Sequence, residues 1–442
     1  MASISGFPEF LPQGRFVEMR AIDIMRSVFE LHGFTSIQTR SIEPLSELSR
    51  KGEITKEIYA VRRLHADAGT EETWGLHYDL TIPFARYVSE HAGHLSFPFR
   101  RYQIQPAWRG ERPQEGRFRE FWQADIDIVG QSELGFHHDA EVALVMMDAC
   151  TQLHQQMGIP PVLMRINNRA LIEGLYTGLG IDDPLPVIQA VDKLAKIGES
   201  GVRKMLDATG VDKDLQDKIV AFAGVNSTRG DVEEQVRSFG VTNDLLERGV
   251  RDVMALHSTV SQSYPSQVVV DAKIARGLDY YTGSVFEIEL QGYETLGTIS
   301  AGGRYDHLAS DGKNAYPGVG VSFGLSRVLV PLISQGGLTA SRCVPSAVLI
   351  AVDSEEERHK AEEVATVLRE RGISCEVSPN SAKYGKQIHF AQRRGIPYVW
   401  FGSVQGQVKD IRSGEQIDAD AHRWIIDDID LSPQIIPIGR NC

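Results

Sequence analysis

The sequence predicts an α+β protein in two parts, a large domain with helices around a sheet and a smaller alternating α/β unit. Three observations predict this organisation. The 442 residues exceed the roughly 250 to 300 residues that a single hydrophobic core supports. Strand-like alternation stops near residue 170, gives way to short helical blocks, and returns after residue 262. The last part of the chain alternates between short apolar strands and amphipathic helices.

The composition indicates a globular protein that is not exported. Hydrophobic residues make up 42% and charged residues 24%, close to globular averages, which excludes a disordered or fibrous protein. The opening residues show no basic segment followed by an apolar run, and no stretch is apolar for the roughly 18 residues of a membrane helix. The four cysteines are scattered without a C-x-x-C pair, so we expect free thiols and a cytoplasmic location.

Charge is distributed unevenly along the chain. The formal net charge of −13 argues against a protein that coats nucleic acid through bulk electrostatics. Residues 100–119 nevertheless hold six arginines against two glutamates. This basic island predicts an anionic ligand.

The elements of the large domain follow from periodicity. Apolar residues from Phe16 to Phe29 recur every three or four positions, and Gly33 suits the end of that helix. We expect strands at 35–39, 121–129 and 162–166, an irregular stretch up to about residue 75, and a helix at 139–157. In the second strand Gln123, Asp125 and Asp127 face away from the apolar residues between them.

The sequence pattern of residues 175–262 predicts a helical insertion. Short helical blocks are separated by glycine or proline at 186–197, 202–208, 215–223 and 245–260. Strand patterns return at 268–275, 285–290 and 319–323, so we expect the interrupted sheet to resume there.

The C-terminal part begins after a glycine- and proline-containing hinge. We expect a first domain over 1–333, a linker over 334–345 and a second domain over 346–442. Strands are predicted at 348–352, 374–377 and 398–401, with helices between them. Ser354 is predicted to cap a helix whose first turn carries Glu355 to Glu357, and Gly385 to Arg394 form the other helix.

The densest chemical signal runs from Phe99 to Gly130. Its sequence predicts a hairpin with Arg109 on the first strand, Pro113 and Gly116 in the loop, and Gln123 on the returning strand. Arginine suits phosphate because its planar fork donates two hydrogen bonds to neighbouring oxygens. The alternative is a solvated basic hairpin without a ligand.

Four further segments stand out. They are LHYDLTIPFARY at 76–87, ARGLDYYTGSVFEI at 275–288, SAGGRYD at 300–306 and PGVGVSFGLSRV at 317–328. The first is compatible with an ordinary helix cap, and the second with an aromatic strand end that serves the core. The last could suggest a Rossmann turn, but its glycines at 318, 320 and 324 do not follow G-x-G-x-x-G.

Together these segments resemble class II aminoacyl-tRNA synthetases, and the histidyl-tRNA synthetase family in particular. The hairpin is similar to motif 2, residues 317–328 to motif 3, and residues 275–288 to the peptide that distinguishes the histidyl group. The resemblance covers nearly the whole chain. It implies a catalytic domain with an antiparallel sheet and flanking helices, a helical insertion at about 175–262 that clamps the tRNA acceptor arm, and a C-terminal α/β anticodon-binding domain, in which KYGKQ at 383–387 is typical of the group.

The resemblance also implies roles for individual residues. Arg109 and Arg276 would act on the α-phosphate from opposite sides, as the catalytic pair. ATP would be bound by Arg109, Glu111, Arg117 and Arg327, and the tRNA acceptor end by Gln114 and Arg119. Histidine would be bound by Asp79, Thr81, Arg109, Gln123, Asp127, Tyr280 and Tyr281. Many relatives have arginine at the position of His77, which puts an anchoring contact there in doubt.

The activity implied is that of a histidine–tRNA ligase, which activates L-histidine with ATP and transfers it to the 3′ end of tRNA(His). Mg²⁺ would accompany ATP, and no organic prosthetic group is expected. The histidines of the chain show no metal-ligand spacing, so no protein metal site is expected. A homodimer is implied by the family. Two alternatives remain open: a non-catalytic regulatory subunit of ATP phosphoribosyltransferase, and a sensor of uncharged tRNA.

Overall fold

The structure is a computed structural model that describes residues 4–49, 56–65, 73–228, 231–275, 280–310 and 313–437. The chain divides into two compact units, residues 1–8 with 22–331 and residues 9–21 with 332–442. No helix of the described ranges combines the length and the apolar content needed to cross a membrane.

The first unit holds most of the regular structure. Its helices are α1 (Pro12–Leu31, whose N-terminal half belongs to the second unit), α2 (Leu45–Leu48), α3 (Thr81–His91), α4 (His137–Met157), α5 (Arg169–Gly178), α6 (Leu185–Asp192), α7 (Leu194–Ala208), α8 (Lys213–Ala223), α9 (Val232–Arg237), α10 (Asp244–Ser263) and α11 (Leu325–Ser334, at the boundary). Its strands are β1 (Thr35–Ser36), β2 (Ile42–Pro44), β3 (Ala60–Val61), β4 (Trp74–Leu76), β5 (Phe99–Trp108), β6 (Glu120–Val129), β7 (Val162–Asn168), β8 (Asn226–Ser227), β9 (Val268–Asp271), β10 (Ser284–Leu290), β11 (Thr298–Tyr305) and β12 (Gly318–Gly324).

The described strands of this unit build a nine-stranded sheet in the order β1-β5-β6-β12-β11-β10-β7-β9-β8. Its centre, from β5 to β7, is antiparallel throughout, which confirms the predicted fold class. Both margins differ, because β1 runs parallel to β5 and β9 runs parallel to β7. The sheet is therefore mixed, with its antiparallel part in the middle.

The sheet resumes after the helical block as expected. Met164 to Ile166 of β7 pair in parallel with Val268 to Val270 of β9. A parallel connection requires a crossover, and the intervening helices supply it. The chain therefore leaves the sheet after β7 and returns to the neighbouring position.

Helices α5 and α10 approach each other closely through two glycines. A Cβ on Gly174 would lie 2.4 Å from the backbone N of Leu246, and one on Gly249 would lie 2.1 Å from the N of Leu171. Asn243 caps α10 by accepting from the Leu246 N–H, and its amide donates to the Gly174 carbonyl at 2.7 Å. Both ends of the helical block are thus tied to one another beside the sheet.

The second unit contains a five-stranded sheet in the order β15-β14-β16-β17-β18. Its strands are β13 (Leu338–Ala340), β14 (Val348–Ile350), β15 (Cys375–Val377), β16 (Tyr398–Gly402), β17 (Gln405–Asp410), β18 (Gln416–Asp420) and β19 (Ile435–Pro437), and its helices are α12 (Arg358–Glu370) and α13 (Tyr384–Arg394). Strands β15, β14 and β16 are parallel, and the remaining pairs are antiparallel. The predicted alternating α/β pattern is confirmed.

Both faces of this sheet are buried. Val348 and Ile350 belong to one apolar cluster with Trp400, while Leu349 belongs to a second cluster with Phe401 on the other face. Gln387, from the KYGKQ segment, accepts from the Val352 N–H at 3.0 Å and donates to the Val352 carbonyl at 2.9 Å. This glutamine therefore anchors α13 to the chain leaving β14.

Two local predictions were wrong. The stretch expected to be irregular contains a small sheet of β2, β4 and β3. The linker boundaries stay a prediction, and the structure forms β13 within that segment, where it pairs with β19. Helix α12 begins at Arg358, so Glu355 to Glu357 precede it, and Ser354 Oγ accepts from the Glu357 N–H at 3.3 Å within a turn.

Candidate active site

A cavity of about 320 Å³ opens on the central sheet of the first unit. Strands β6, β11 and β12, the hairpin loop after β5 and the start of α3 contribute to its wall. The predicted residues that line it are Asp79, Thr81, Arg109, Glu111, Arg117, Gln123, Tyr280, Tyr281 and Arg327. The fold therefore brings together residues that lie as far as 248 positions apart in the chain, from Asp79 to Arg327.

Sheet register determines which side chains reach the cavity. Gln123, Asp125 and Asp127 of β6 pair with Gly324, Ser322 and Gly320 of β12. Directly paired residues project on the same face of a sheet. Because Gln123, Ser322 and Gly324 line the cavity, this face of the sheet forms its floor.

Arg109 lies immediately after β5 and is fixed by several contacts. Its backbone N–H donates to the Arg119 carbonyl at 2.9 Å, which extends the hairpin ladder by one residue. Its Nε donates to the Tyr78 carbonyl at 3.0 Å, and its guanidinium lies 5.1 Å from the centre of the Phe121 ring. These contacts hold the planar group at the cavity wall and leave its Nη groups unbonded within the described residues.

The hairpin loop is closed by a tight turn. The Gln114 and Arg117 backbones exchange two hydrogen bonds, and Gly116 between them has a φ of +70°, which favours glycine. Arg117 pairs with Glu111 at 3.3 Å across the loop. Arg327 of α11 donates from Nε to the Gly116 carbonyl at 3.1 Å and also bonds the Thr298 carbonyl. Two guanidinium groups therefore border the cavity beside this turn.

The cavity lining also carries acceptors and aromatic rings. Asp79 Oδ1 accepts from the Ile82 N–H at 3.0 Å, so this carboxylate caps the start of α3. Gln123 donates to Ser322 Oγ at 2.6 Å, and its buried Oε1 has no hydrogen-bond partner in the described ranges. The rings of Tyr280 and Tyr281 lie 4.2 Å apart, and burial raises the pKa of Tyr281 well above its ordinary value.

Asp127 is absent from the described lining of this cavity. Its Oδ1 accepts from the Tyr305 hydroxyl at 2.6 Å, and its Oδ2 lies 2.5 Å from Arg101 Nη2. The Arg101 contact is an ion pair without hydrogen-bond alignment, since the guanidinium nitrogens have no such partner among the described residues. The imidazole contact expected of Asp127 stays a prediction, and its carboxylate lies on the same sheet face as Gln123 but outside the described lining of the cavity.

Comparison with known proteins agrees with this geometry. The family profile "Histidyl-tRNA synthetase" matches residues 6–328, and the profile "Anticodon binding domain" matches residues 346–401. The chain belongs to the histidyl-tRNA synthetase family. It is 54% identical over 98% of both chains to "Histidine--tRNA ligase" of Cutibacterium acnes.

Two solved structures are similar in fold to this chain. The crystal structure of histidyl-tRNA synthetase from Nostoc sp. PCC 7120 is 32% identical, with a TM-score of 0.83 and coverage of 95% of this chain and 97% of that chain. A second structure, "ATP phosphoribosyltransferase regulatory subunit/histidyl-tRNA synthetase" from Bacillus halodurans, has a TM-score of 0.71 at 18% identity and covers 86% and 92%. The latter likeness shows the fold alone.

Of the other residues singled out by the histidyl-tRNA synthetase motifs, Gln114 and Arg119 are not in the described lining of the cavity. Arg276 lies outside the described residues. Gln114 is exposed on the loop, and Arg119 supports the loop by donating from Nε to the Glu111 carbonyl at 3.2 Å. Of the glycines in the segment that resembles motif 3, Gly324 lines the cavity, whereas a Cβ on Gly318 would collide with the Tyr305 ring.

His77 has a structural position. It is fully buried, its Nε2 lies 2.7 Å from the Pro106 carbonyl and its Nδ1 lies 3.1 Å from the Arg40 carbonyl. Its ring centre is 5.3 Å from that of Trp108. His77 therefore connects β5 to the segment before β2.

Sequence reasoning missed a buried polar layer beside the cavity. Arg101 was assigned to the basic island, yet it is fully buried against Asp127, while Arg100 pairs with Glu141 at 3.0 Å. The signal was available, because Arg101, Gln103 and Gln105 alternate along β5 as the polar residues of β6 do. Two facing strands with polar residues in matching positions predict a shared polar face.

Proposed function

We propose that this chain is a histidine–tRNA ligase, which converts L-histidine and ATP to histidyl-adenylate and pyrophosphate and then transfers the histidyl group to the 3′ end of tRNA(His). The observation that carries the proposal is the cavity, whose described lining combines the arginines at positions 109, 117 and 327 with Asp79, Gln123 and Tyr281. An anionic nucleotide and a cationic amino acid would each meet groups of suitable charge.

The first step is an attack by the histidine carboxylate on the α-phosphorus of ATP. A carboxylate-oxygen-to-phosphorus bond forms, and the bond to the bridging oxygen breaks as pyrophosphate leaves. The nucleophile is already an anion, so no protein base is required, and positioning and charge stabilisation dominate. Arg109 would contact the carboxylate and the α-phosphate, with Arg276 on the other side.

The nucleotide would contact the arginine side chains of the cavity lining. Arg117 and Arg327 would bind the terminal phosphates, and Glu111 the adenine amino group. Glu111 pairs with Arg117 at 3.3 Å, and ATP would replace this pair with contacts to the nucleotide. The turn at Gly116 already aligns Arg327 for that exchange.

Magnesium would enter with ATP. The described lining offers two carboxylates, Asp79 and Glu111, which are assigned to the substrate ammonium and to the adenine amino group. Such a lining suits an ion held by phosphate oxygens and water. When bound, the ion would neutralise phosphate charge and favour departure of pyrophosphate.

Histidine would contact the hydrogen-bond acceptors and the aromatic rings of the cavity lining. Asp79, Thr81 and Gln123 would bind its ammonium group, and the unpartnered Gln123 Oε1 supports this because it lies in the cavity wall as a buried acceptor. Tyr280 and Tyr281 would enclose the imidazole, with Asp127 supplying negative charge. A competitor without a ring N–H would leave buried acceptors unsatisfied.

The tRNA would contact both units. Gln114 and Arg119 on the hairpin loop would meet the acceptor end, the helical insertion at about 175–262 would clamp the acceptor arm, and residues 346–442 would bind the anticodon. We further propose the domain boundaries 1–333, 334–345 and 346–442, a homodimer, and a cytoplasmic location. Light scattering after gel filtration tests the dimer, which an active monomer would contradict.

Histidine-dependent ATP–pyrophosphate exchange, followed by charging of tRNA(His), tests the activity. Arg109→Ala should lower the exchange rate by about 10² to 10³ while the fold persists, and Arg276→Ala should abolish it. Arg100→Ala is the matched control, because its side chain pairs with Glu141 away from the cavity. Wild-type rates in the Arg276 variant would refute its assigned role. No exchange by the wild-type protein would favour a regulatory subunit or a tRNA sensor.

A further inference from the structure

A buried charge network lies on the same face of the sheet as Gln123 of the cavity lining. It consists of Arg101 on β5, Asp127 on β6 and Tyr305 on β11, and we call it the Arg101 network. Arg101 is fully buried, and its guanidinium lies 4.2 Å from the centre of the Phe84 ring. A buried cation of this kind is costly unless it has a specific partner, and Asp127 is that partner.

The network reaches the cavity through one row of the sheet. Asp127 pairs with Gly320, and Gly320 pairs with Gly303. A Cβ on Gly320 would lie 2.0 Å from Asp127 Oδ1, and one on Gly303 would lie 2.8 Å from the Tyr281 ring. Asp127 and Tyr281 therefore occupy adjacent positions over two glycines, and Tyr281 lines the cavity.

The site concentrates titratable groups around that row. The charged and titratable groups near Asp127 come from several elements: Arg101 from β5, Asp125 from β6, Tyr305 from β11, Tyr281 from the segment before β10 and, more remotely, Asp79 before α3. Arg101 is the cation among them. Carboxylates that share a buried site bind protons unless a cation balances them.

We propose that Arg101 is a positioning residue for histidine selection, because it keeps Asp127 ionised and fixed behind Tyr281. This inference rests on the proposed function and assigns a role to a residue that does not touch substrate. An ionised carboxylate attracts and orients an imidazole N–H donor, directly or through the Tyr281 hydroxyl, whereas a protonated carboxyl group does so poorly. Tyr305 completes the arrangement by donating to the second oxygen of Asp127.

Arg101→Met is the test, with the KM for histidine, the KM for ATP and kcat measured by pyrophosphate exchange from pH 6 to pH 9. Loss of the cation raises the pKa of the buried carboxyl groups, so they bind protons at neutral pH. We expect a KM for histidine at least about tenfold above wild type at pH 6.5, since one pH unit of protonation corresponds to tenfold. The ratio should decline toward one as pH rises, with the KM for ATP unchanged.

Three further variants separate positioning from structural support. Arg101→Lys keeps the charge and should restore the wild-type pH profile. In an Asp127→Asn background, Arg101→Met should add no pH dependence to the KM for histidine. Arg86→Met removes another buried arginine of this unit, which pairs with Glu43 at 2.9 Å, and should leave the pH profile unchanged.

The outcomes are distinguishable. A constant KM ratio at every pH, an equal effect on the KM for ATP, or the same shift in Arg86→Met would overturn the role of Arg101. If Arg101→Met does not fold, Tyr305→Phe removes one hydrogen bond from Asp127 and should give a smaller shift in the same direction. An active wild-type enzyme with no shift in any variant refutes this inference alone, while an inactive wild-type protein refutes the proposed function.

Discussion

Replacing Asp125 with asparagine removes a carboxyl group that the fold holds in its protonated form. Asp125 is 2% exposed on the polar face of β6, between Gln123 and Asp127. Burial raises its pKa to about 7, and the neighbouring Asp127 and Asp79 carboxylates add to the rise against the opposing effects of Arg101 and Ser322. Asparagine has nearly the same shape and cannot ionise.

The sign of the effect follows from proton linkage. Below pH 3.8 the group is protonated in both folded and unfolded chains, so it adds no pH dependence. Between pH 3.8 and about 7 the folded state holds a proton that the unfolded state has lost, and stability therefore falls as pH rises. The difference between the folded and unfolded pKa of Asp125 corresponds to at most about 4 kcal/mol of unfolding free energy. About 3 kcal/mol of this is lost as the pH rises above 5.

Thermal unfolding of wild type and Asp125→Asn from pH 5 to pH 8 measures this difference. The Tm of the variant relative to that of the wild type should increase by about 5 °C as the pH rises from 5, at roughly 2 °C per kcal/mol. This Tm difference should stay constant above pH 7. Asp182→Asn, at an exposed loop position of the same unit, controls for the loss of one formal charge. A Tm difference that stays constant across this range would refute the reasoning.

Two further predictions concern close packing and the nucleotide end. Gly320→Ala should lower stability by several kcal/mol or prevent soluble expression, because its Cβ would lie 2.0 Å from Asp127 Oδ1 and 2.7 Å from the Ile126 carbonyl. Gly93→Ala, which has open space at the Cβ position, is the control. Equal Tm values for the two variants would contradict the prediction. Arg327→Met should reduce kcat/KM for ATP by about 10² or more, since a charged donor to phosphate is lost. Pyrophosphate exchange at varied ATP measures this, and an unchanged value would remove Arg327 from the nucleotide site.

The hairpin and the main strands could be predicted because their signals are local. Residues 99–130 alternate with a period of two on both sides of a loop that contains proline and glycine, and the structure forms β5 and β6 there. The small sheet of β2, β3 and β4 could not be predicted in this way. Its strands are two or three residues long, too short to show a period.

The residues of the candidate site also differ in whether local sequence could predict their positions. Arg109, Arg117 and Arg327 were predicted to meet because motif spacing identified each of them, and the cavity brings them together. The structural role of Arg101 escaped prediction because its partners lie on β6 and β11, and pairing between distant strands is not written in local sequence. Helix α12 began later than predicted for a related reason, since Ser354 caps a turn and an N-cap signal also fits a turn.

The polar face of β5, β6 and β12 explains why the cavity floor contains so little side-chain bulk. Strand β6 buries Ile126 and Ile128 on one face and Asp125 and Asp127 on the other, so both faces are removed from water. Buried carboxylates need partners close by, and a side chain at position 320 would occupy the volume of the Asp127 carboxylate. Glycine at that position therefore leaves room for the Asp127 carboxylate, which links a glycine of the motif 3 segment to the polar face of the sheet beside the cavity.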